Sequence, residues 1–324
     1  MRRTVPSRLT LHVGFNKTAS TWLQKQVFPQ LQSVHYAGRG NRPVAGLRRD
    51  GVRPCPAYQT FAMPTERWEH RAGAVIDPLL DAAPADRPAV VSHERMSSPY
   101  DFFDELGKRY RHPGAFPRSL ATLQQAAGER GIEQLAILFI TRRQDTYLPS
   151  FYAERSDRIP PAGQRHFEQQ VEQRILGPEY SAYGAFLDHG ATIAALRAAA
   201  PKAEITVLPF EWLKANAKGF LQAVAACVGE PGDSLCQRVD LGKRSRHRQA
   251  GRPNSWRLRP LRGLRGRAQA LREVVGVGDS REKEITLSGD LRERILACYR
   301  PTNQALIEQL DGEAAERFRE CGYV

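Results

Sequence analysis

Five short runs of apolar residues punctuate the chain, at 9–15 (LTLHVGF), 34–38 (VHYAG), 89–92 (AVVS), 135–141 (LAILFIT) and 204–210 (EITVLPF). Each is nearly continuous rather than alternating, the pattern of a strand covered on both faces. Between them, at 20–28, 67–83, 118–131, 144–156, 189–200 and 212–229, apolar residues return every three or four positions, and several segments end at Gly or Pro. That pattern predicts amphipathic helices. Strands alternating with helices predict an α/β fold in three layers, a mostly parallel central sheet flanked by helices. Ligands of such folds sit at the carboxyl ends of the strands. The stretch 288–310 predicts one or two helices, with a break near Pro301.

Two stretches depart from this rhythm. Residues 39–65 are rich in Gly, Pro and Arg and read as a long loop, and 229–287 shows no clear periodicity beyond short helical pieces. The expectation is therefore one domain over 1–324 with loop insertions at 39–65 and 229–287. No internal repeat is visible. With 324 residues, 41% of them hydrophobic, the chain can bury a sizeable core. No run approaches the roughly 18 apolar residues of a membrane span, and the N-terminal apolar run reads as a first strand rather than a signal-peptide core. A cytoplasmic, soluble protein is expected. The 5 cysteines (Cys55, Cys227, Cys236, Cys298, Cys321) lie far apart without C-x-x-C spacing, which argues against a zinc site or a disulfide framework.

Charge changes the picture locally. The net charge is +13, and 243–267 (KRSRHRQAGRPNSWRLRPLRGLRGR) holds ten Lys/Arg and no acidic residue. Such a run suits a polyanionic partner, whether nucleotide phosphates, an acidic glycan, nucleic acid or a lipid headgroup; it also suits a solvated basic loop.

The candidate chemistry begins where the first run ends, in GFNKTASTW (14–22). If the chain passes from strand to helix near Ser20, the backbone N–H groups around Lys17 to Thr21 converge at the positive end of the helix dipole. Ser20 and Thr21 add hydroxyl donors and Lys17 a mobile charge, as in a phosphate or sulfate cradle. The same residues would also allow Ser20 simply to cap a surface helix and Lys17 to stay solvated. A triphosphate loop would read G-x-x-x-x-G-K-[ST]. Here the lysine comes three residues after Gly14 and the second glycine is missing.

This loop resembles the 5′-phosphosulfate loop of sulfotransferases that use 3′-phosphoadenosine 5′-phosphosulfate (PAPS), whose usual form is close to P-K-[ST]-G-[ST]-[ST]. The resemblance aligns Lys17 with the loop lysine, Thr18 with the next hydroxyl residue, and Ser20 and Thr21 with the paired hydroxyls, Trp22 following. Ala19 stands where the family usually has glycine, a departure expected to reshape the loop slightly because alanine disfavours positive φ. A second match is LAILFITRRQDTYLPSFYAE, where Arg142 at a strand end and Ser150 eight residues on have the family's spacing for the 3′-phosphate. Arg143 is the alternative if the strand ends one residue later. Phe210, Glu211 and Leu213 resemble the family's [YF]-E-x-L motif, and CYRPTNQALIEQL followed by CGYV resembles the C-terminus of bacterial carbohydrate-type members.

The resemblance implies a P-loop-like three-layer fold, PAPS as cosubstrate, PAP as product, and no metal. It implies that Lys17 stabilises charge on the departing phosphate and that a base serves the acceptor, with Glu94 first and His93 second in AVVSHERMSS. Glu94 could instead pair with Arg95. A late basic loop closing over the 3′-phosphate would use Arg244, Arg246 or Arg248, leaving Arg257, Arg259 and Arg262 to meet an acidic acceptor. The acceptor expected is a small molecule or glycan. A P-loop kinase and a nucleic-acid-binding protein are the alternatives, the latter short of aromatic residues beyond Trp256.

Overall fold

The computed structural model describes residues 6–37, 72–73, 77, 84, 87–92, 115–243, 254–263 and 282–324. Its centre is a sheet of five parallel strands, β1 (Arg8–Gly14), β2 (His35–Tyr36), β3 (Ala89–Ser92), β4 (Gln134–Thr141) and β5 (Glu204–Pro209), in the order β2-β3-β1-β4-β5. β1 pairs with β4 from Arg8↔Gln134 to Gly14↔Ile140, so both strands finish level at the carboxyl edge.

The continuous apolar runs resolve into two alternating sets. Leu9, Leu11, Val13, Ile137, Phe139 and Val207 feed one core, while Val90, Leu138, Ile140 and Leu208 feed the other across the sheet. Covering both faces removes the selection for a polar side that gives single-sided sheets their alternation. β1 is the exception on its second face, where Thr10 and His12 are fully buried; the His12 ring Nδ1 lies 2.6 Å from Ser92 Oγ.

The helices are α1 (Ser20–Trp22), continued by a π turn over Leu23–Val27, then α2 (Ala115–Glu129), α3 (Gln144–Arg155), α4 (Gln164–Arg174) and α5 (His189–Ala199). After β5 come α6 (Phe210–Ala215), α7 (Ala217–Val228), α8 (Gly232–Arg238), α9 (Gly289–Glu308) and α10 (Gly312–Glu320). A separate antiparallel pair joins β6 (Ser255–Arg257) to β7 (Glu284–Thr286).

Two expectations need correction. The helix expected over 212–229 is two, because the Asn216 side chain accepts from Gly219 N–H at 2.8 Å and caps a new start. No break occurs at Pro301: α9 runs through it, held on either side by buried Ile295, Tyr299, Asn303 and Leu306. α4 was not among the expected helices; it offers only Phe167 and Val171 as an i,i+4 apolar pair in a run otherwise dominated by polar residues. Residues 39–65 lie outside the described residues. No helix among those described is long and apolar enough to cross a membrane.

Candidate functional site

β1 ends at Gly14, and no other residue fits there. Its φ is +141°, and a Cβ would lie 2.6 Å from the Ile140 carbonyl oxygen. From this close contact the chain turns through Phe15–Ala19 into α1. Thr18, fully buried, donates from Oγ1 to the Phe15 carbonyl at 2.5 Å and lies 3.5 Å from Ser20 Oγ. Lys17 and Ala19 both take the left-handed conformation, at φ 70° and 62°. The alanine therefore adopts the backbone that glycine would supply, at a cost of about 1–2 kcal/mol. The expected reshaping of the loop is instead local strain. Ala19 O accepts from Trp22 N–H at 2.8 Å and Leu23 N–H at 3.0 Å, while its methyl side chain cannot cap the first turn. Thr21 is exposed, Ser20 is buried, and Trp22 is buried with no partner for its indole N–H among the described residues.

β4 delivers Arg142 to the same edge, one residue beyond the strand. This guanidinium is 9% exposed and engaged through two of its three nitrogens: Nη1 donates to the Lys17 carbonyl at 3.1 Å and to Ser150 Oγ at 3.2 Å, and Nε donates to Thr146 Oγ1 at 3.1 Å. Ser150 is one turn after Thr146 on α3, and both are on the helix face toward Arg142. Burial pulls the Arg142 pKa below its ordinary value, with Glu211, Tyr323, Tyr147 and Asp145 opposing. Arg143 does different work. Against the cost of its own burial, a two-pronged contact to Asp145 (2.7 and 3.0 Å) raises its pKa, and Nη1 donates to the Cys321 carbonyl.

Behind Arg142 the [YF]-E-x-L residues are assembled with the C-terminus. Glu211 accepts from Arg143 N–H and Thr146 Oγ1, each at 3.2 Å, and from the Tyr323 hydroxyl at 3.1 Å. Phe210 lies under the Arg142 guanidinium, 5.1 Å from carbon to ring centroid. Gln144 and Asn303, both fully buried, exchange amide hydrogen bonds at 3.0 and 3.2 Å, and Asn303 also donates to the Tyr323 carbonyl. His189, at the start of α5, has Nε2 3.1 Å from the Arg142 carbonyl; burial lowers its pKa to about 4, so it is neutral at pH 7 and donates through Nε2.

Sequence reasoning missed Glu154. One turn beyond Ser150, its carboxylate pairs with Lys17 Nζ at 3.0 Å and lies 3.9 Å from Arg259 Nη2. The i,i+4 spacing from Ser150 was the available signal. Arg259 N–H also donates to Ser156 Oγ at 2.7 Å, and Arg262 pairs with Asp157. These two arginines of the basic run are thus already engaged with carboxylates, and Arg257 stands opposite Glu284 in the β6–β7 pair. Trp256 is buried in the core and offers no stacking platform for a base.

The structure brings Lys17, Thr18, Ala19, Ser20, Thr21, Trp22, Arg142 and Ser150 to one edge of the sheet. Glu94, His93 and Arg246 lie outside the described residues, as do Arg244 and Arg248. β3 ends at Ser92, whose hydroxyl accepts from Gln24 Nε2 at 3.1 Å.

No family model matches the chain, and no curated protein matches it in sequence. Among solved structures it is similar to a sulfotransferase from Alicyclobacillus acidocaldarius, at 14% identity and a TM-score of 0.48, covering 96% of this chain and 99% of that one.

Proposed function

We propose that the chain is a PAPS-dependent sulfotransferase acting on a hydroxyl or amine of a carbohydrate, glycolipid or small metabolite. The observation that carries the reading is the double contact of Arg142 Nη1, to the Lys17 carbonyl and to Ser150 Oγ. It couples the loop after β1 to α3, segments from distant parts of the chain, into one site. A ligand with two separated anionic groups fits such a site, and a nucleoside bisphosphate has them.

In this reading Lys17 meets the charge that grows on the bridging oxygen of the departing 5′-phosphate, and the start of α1 adds the field of its open N–H groups. Arg142 and Ser150 hold the unreactive 3′-phosphate. The sulfur–oxygen bond to the donor breaks as the bond to the acceptor forms, and the acceptor proton passes to a base. Glu94, then His93, are the residues the sequence offers for that step. A P-loop kinase would need the loop to wrap a triphosphate, for which the three-residue spacing from Gly14 to Lys17 is too short.

Thermal shift tests the reading, since a ligand that binds only the folded state raises its stability. PAP is expected to raise Tm, with ATP or GTP plus magnesium far weaker. Equal stabilisation by a triphosphate would favour the kinase.

A further inference from the structure

α6 starts at the carboxyl end of β5, beside Arg142. Its first residue, Phe210, holds two cations by its ring: the Arg142 guanidinium carbon at 5.1 Å and the Lys214 ammonium at 5.3 Å from the centroid. Phe210 and Lys214 are one turn apart, so the helix itself sets the second contact. Cation–π attraction offsets part of the repulsion between the two charges.

The neighbouring carboxylates are occupied elsewhere. Glu211 accepts from Arg143, Thr146 and Tyr323, and Asp145 is held by Arg143 and Arg292. Lys214 itself is exposed, so its head is open to a ligand.

We infer that Lys214 is a second cationic ligand of the anionic group bound by Arg142, and that the pair selects a terminal phosphate carrying two charges. The inference rests on the reading above, in which a nucleotide 3′-phosphate lies against Arg142 and Ser150. A fixed guanidinium and a mobile ammonium together match the charge of a phosphomonoester, where one cation would leave it half compensated. Although the residue is exposed, partial desolvation of its head lowers the Lys214 pKa, Arg142 and Arg143 lower it further, and Glu211 and Asp145 oppose them. A bound dianion works in the opposite direction, so binding takes up protons on the alkaline side.

The test is calorimetry with PAP and with AMP, the same nucleotide without the 3′-phosphate, on wild type, Lys214→Gln and Lys214→Arg. Lys214→Gln should weaken PAP roughly ten-fold or more and leave AMP unchanged, a charged hydrogen bond being at stake. Lys214→Arg should restore most of the loss. Proton uptake on PAP binding at alkaline pH, read from the heat in two buffers of different ionisation enthalpy, should vanish in Lys214→Gln. If PAP binds wild type and Lys214→Gln alike, the inference is wrong and the sulfotransferase reading stands. Equal weakening of PAP and AMP would assign Lys214 to the stability of α6 and also overturn it. Failure of wild type to bind PAP sinks the reading itself.

Discussion

Ala19 and Lys17 hold the loop between β1 and α1 in a conformation that L-residues resist, and the consequence is measurable. Ala19→Gly relieves the strain at φ 62° but adds freedom to the unfolded chain, so a net gain of up to about 1 kcal/mol is expected in urea unfolding. Lys17 is also held by Glu154, which must compete with any anion for it. Glu154→Gln is expected to tighten PAP binding several-fold, and this gain should disappear in a Lys17→Ala background. Persistence of the gain without Lys17 would mean that Glu154 acts only through its long-range field. Because Arg142 touches both Lys17 O and Ser150 while Arg143 is bound to Asp145 and Cys321 O, Arg142→Ala should weaken PAP, whereas Arg143→Ala should mainly lower stability. An alanine at 143 with the larger effect on PAP affinity would reverse that assignment. Arg142 and Ser150 could be picked out in the chain because a strand end and a helical spacing are local patterns. Glu154 shares the helical spacing, but its pairing was not legible, since its partners come from the loop at 17 and the segment at 259.

Among the elements, α5 shows how helix placement tunes the site. Gly190 lets it approach α9 so closely that a Cβ would meet the Thr302 carbonyl oxygen at 2.3 Å. Gly190→Ala should therefore destabilise by several kcal/mol despite alanine's better helix propensity, as seen by chemical unfolding. The same helix start buries His189, with a pKa of about 4 against 6.5 unfolded. The unfolded chain then binds more protons between those values, so stability should fall as pH drops from about 6.5 to 4, by on the order of 3 kcal/mol from this residue. Unfolding free energies across that range should show a shallower slope in His189→Gln. The helix over 189–200 was evident in its periodicity. Its neutral histidine was not, because burial is a property of what packs around it.

At the scale of the whole molecule, the end of the chain closes the site from behind. The Tyr323 hydroxyl lies 3.0 Å from Thr141 Oγ1 and donates to Glu211, and its carbonyl accepts from Asn303. Tyr323→Phe should cost about 1.5–3 kcal/mol, the range for a hydrogen bond to a charged group, in urea unfolding at neutral pH. Little or no loss would show that Glu211 is satisfied by Arg143 and Thr146 alone. The sequence by itself determined the five parallel strands, most of the helices between them and the sheet edge at which the candidate site residues stand. Those features follow from local periodicity and from the covering of both sheet faces, which leaves continuous apolar runs. Only the tertiary structure decided that α9 would pass through Pro301, that Arg259 and Arg262 would be spent on carboxylates, and that Arg142 would join Lys17 to Ser150. Each of these depends on contacts between residues far apart in the chain, and packing energy of that kind overrides local preference without leaving a local pattern.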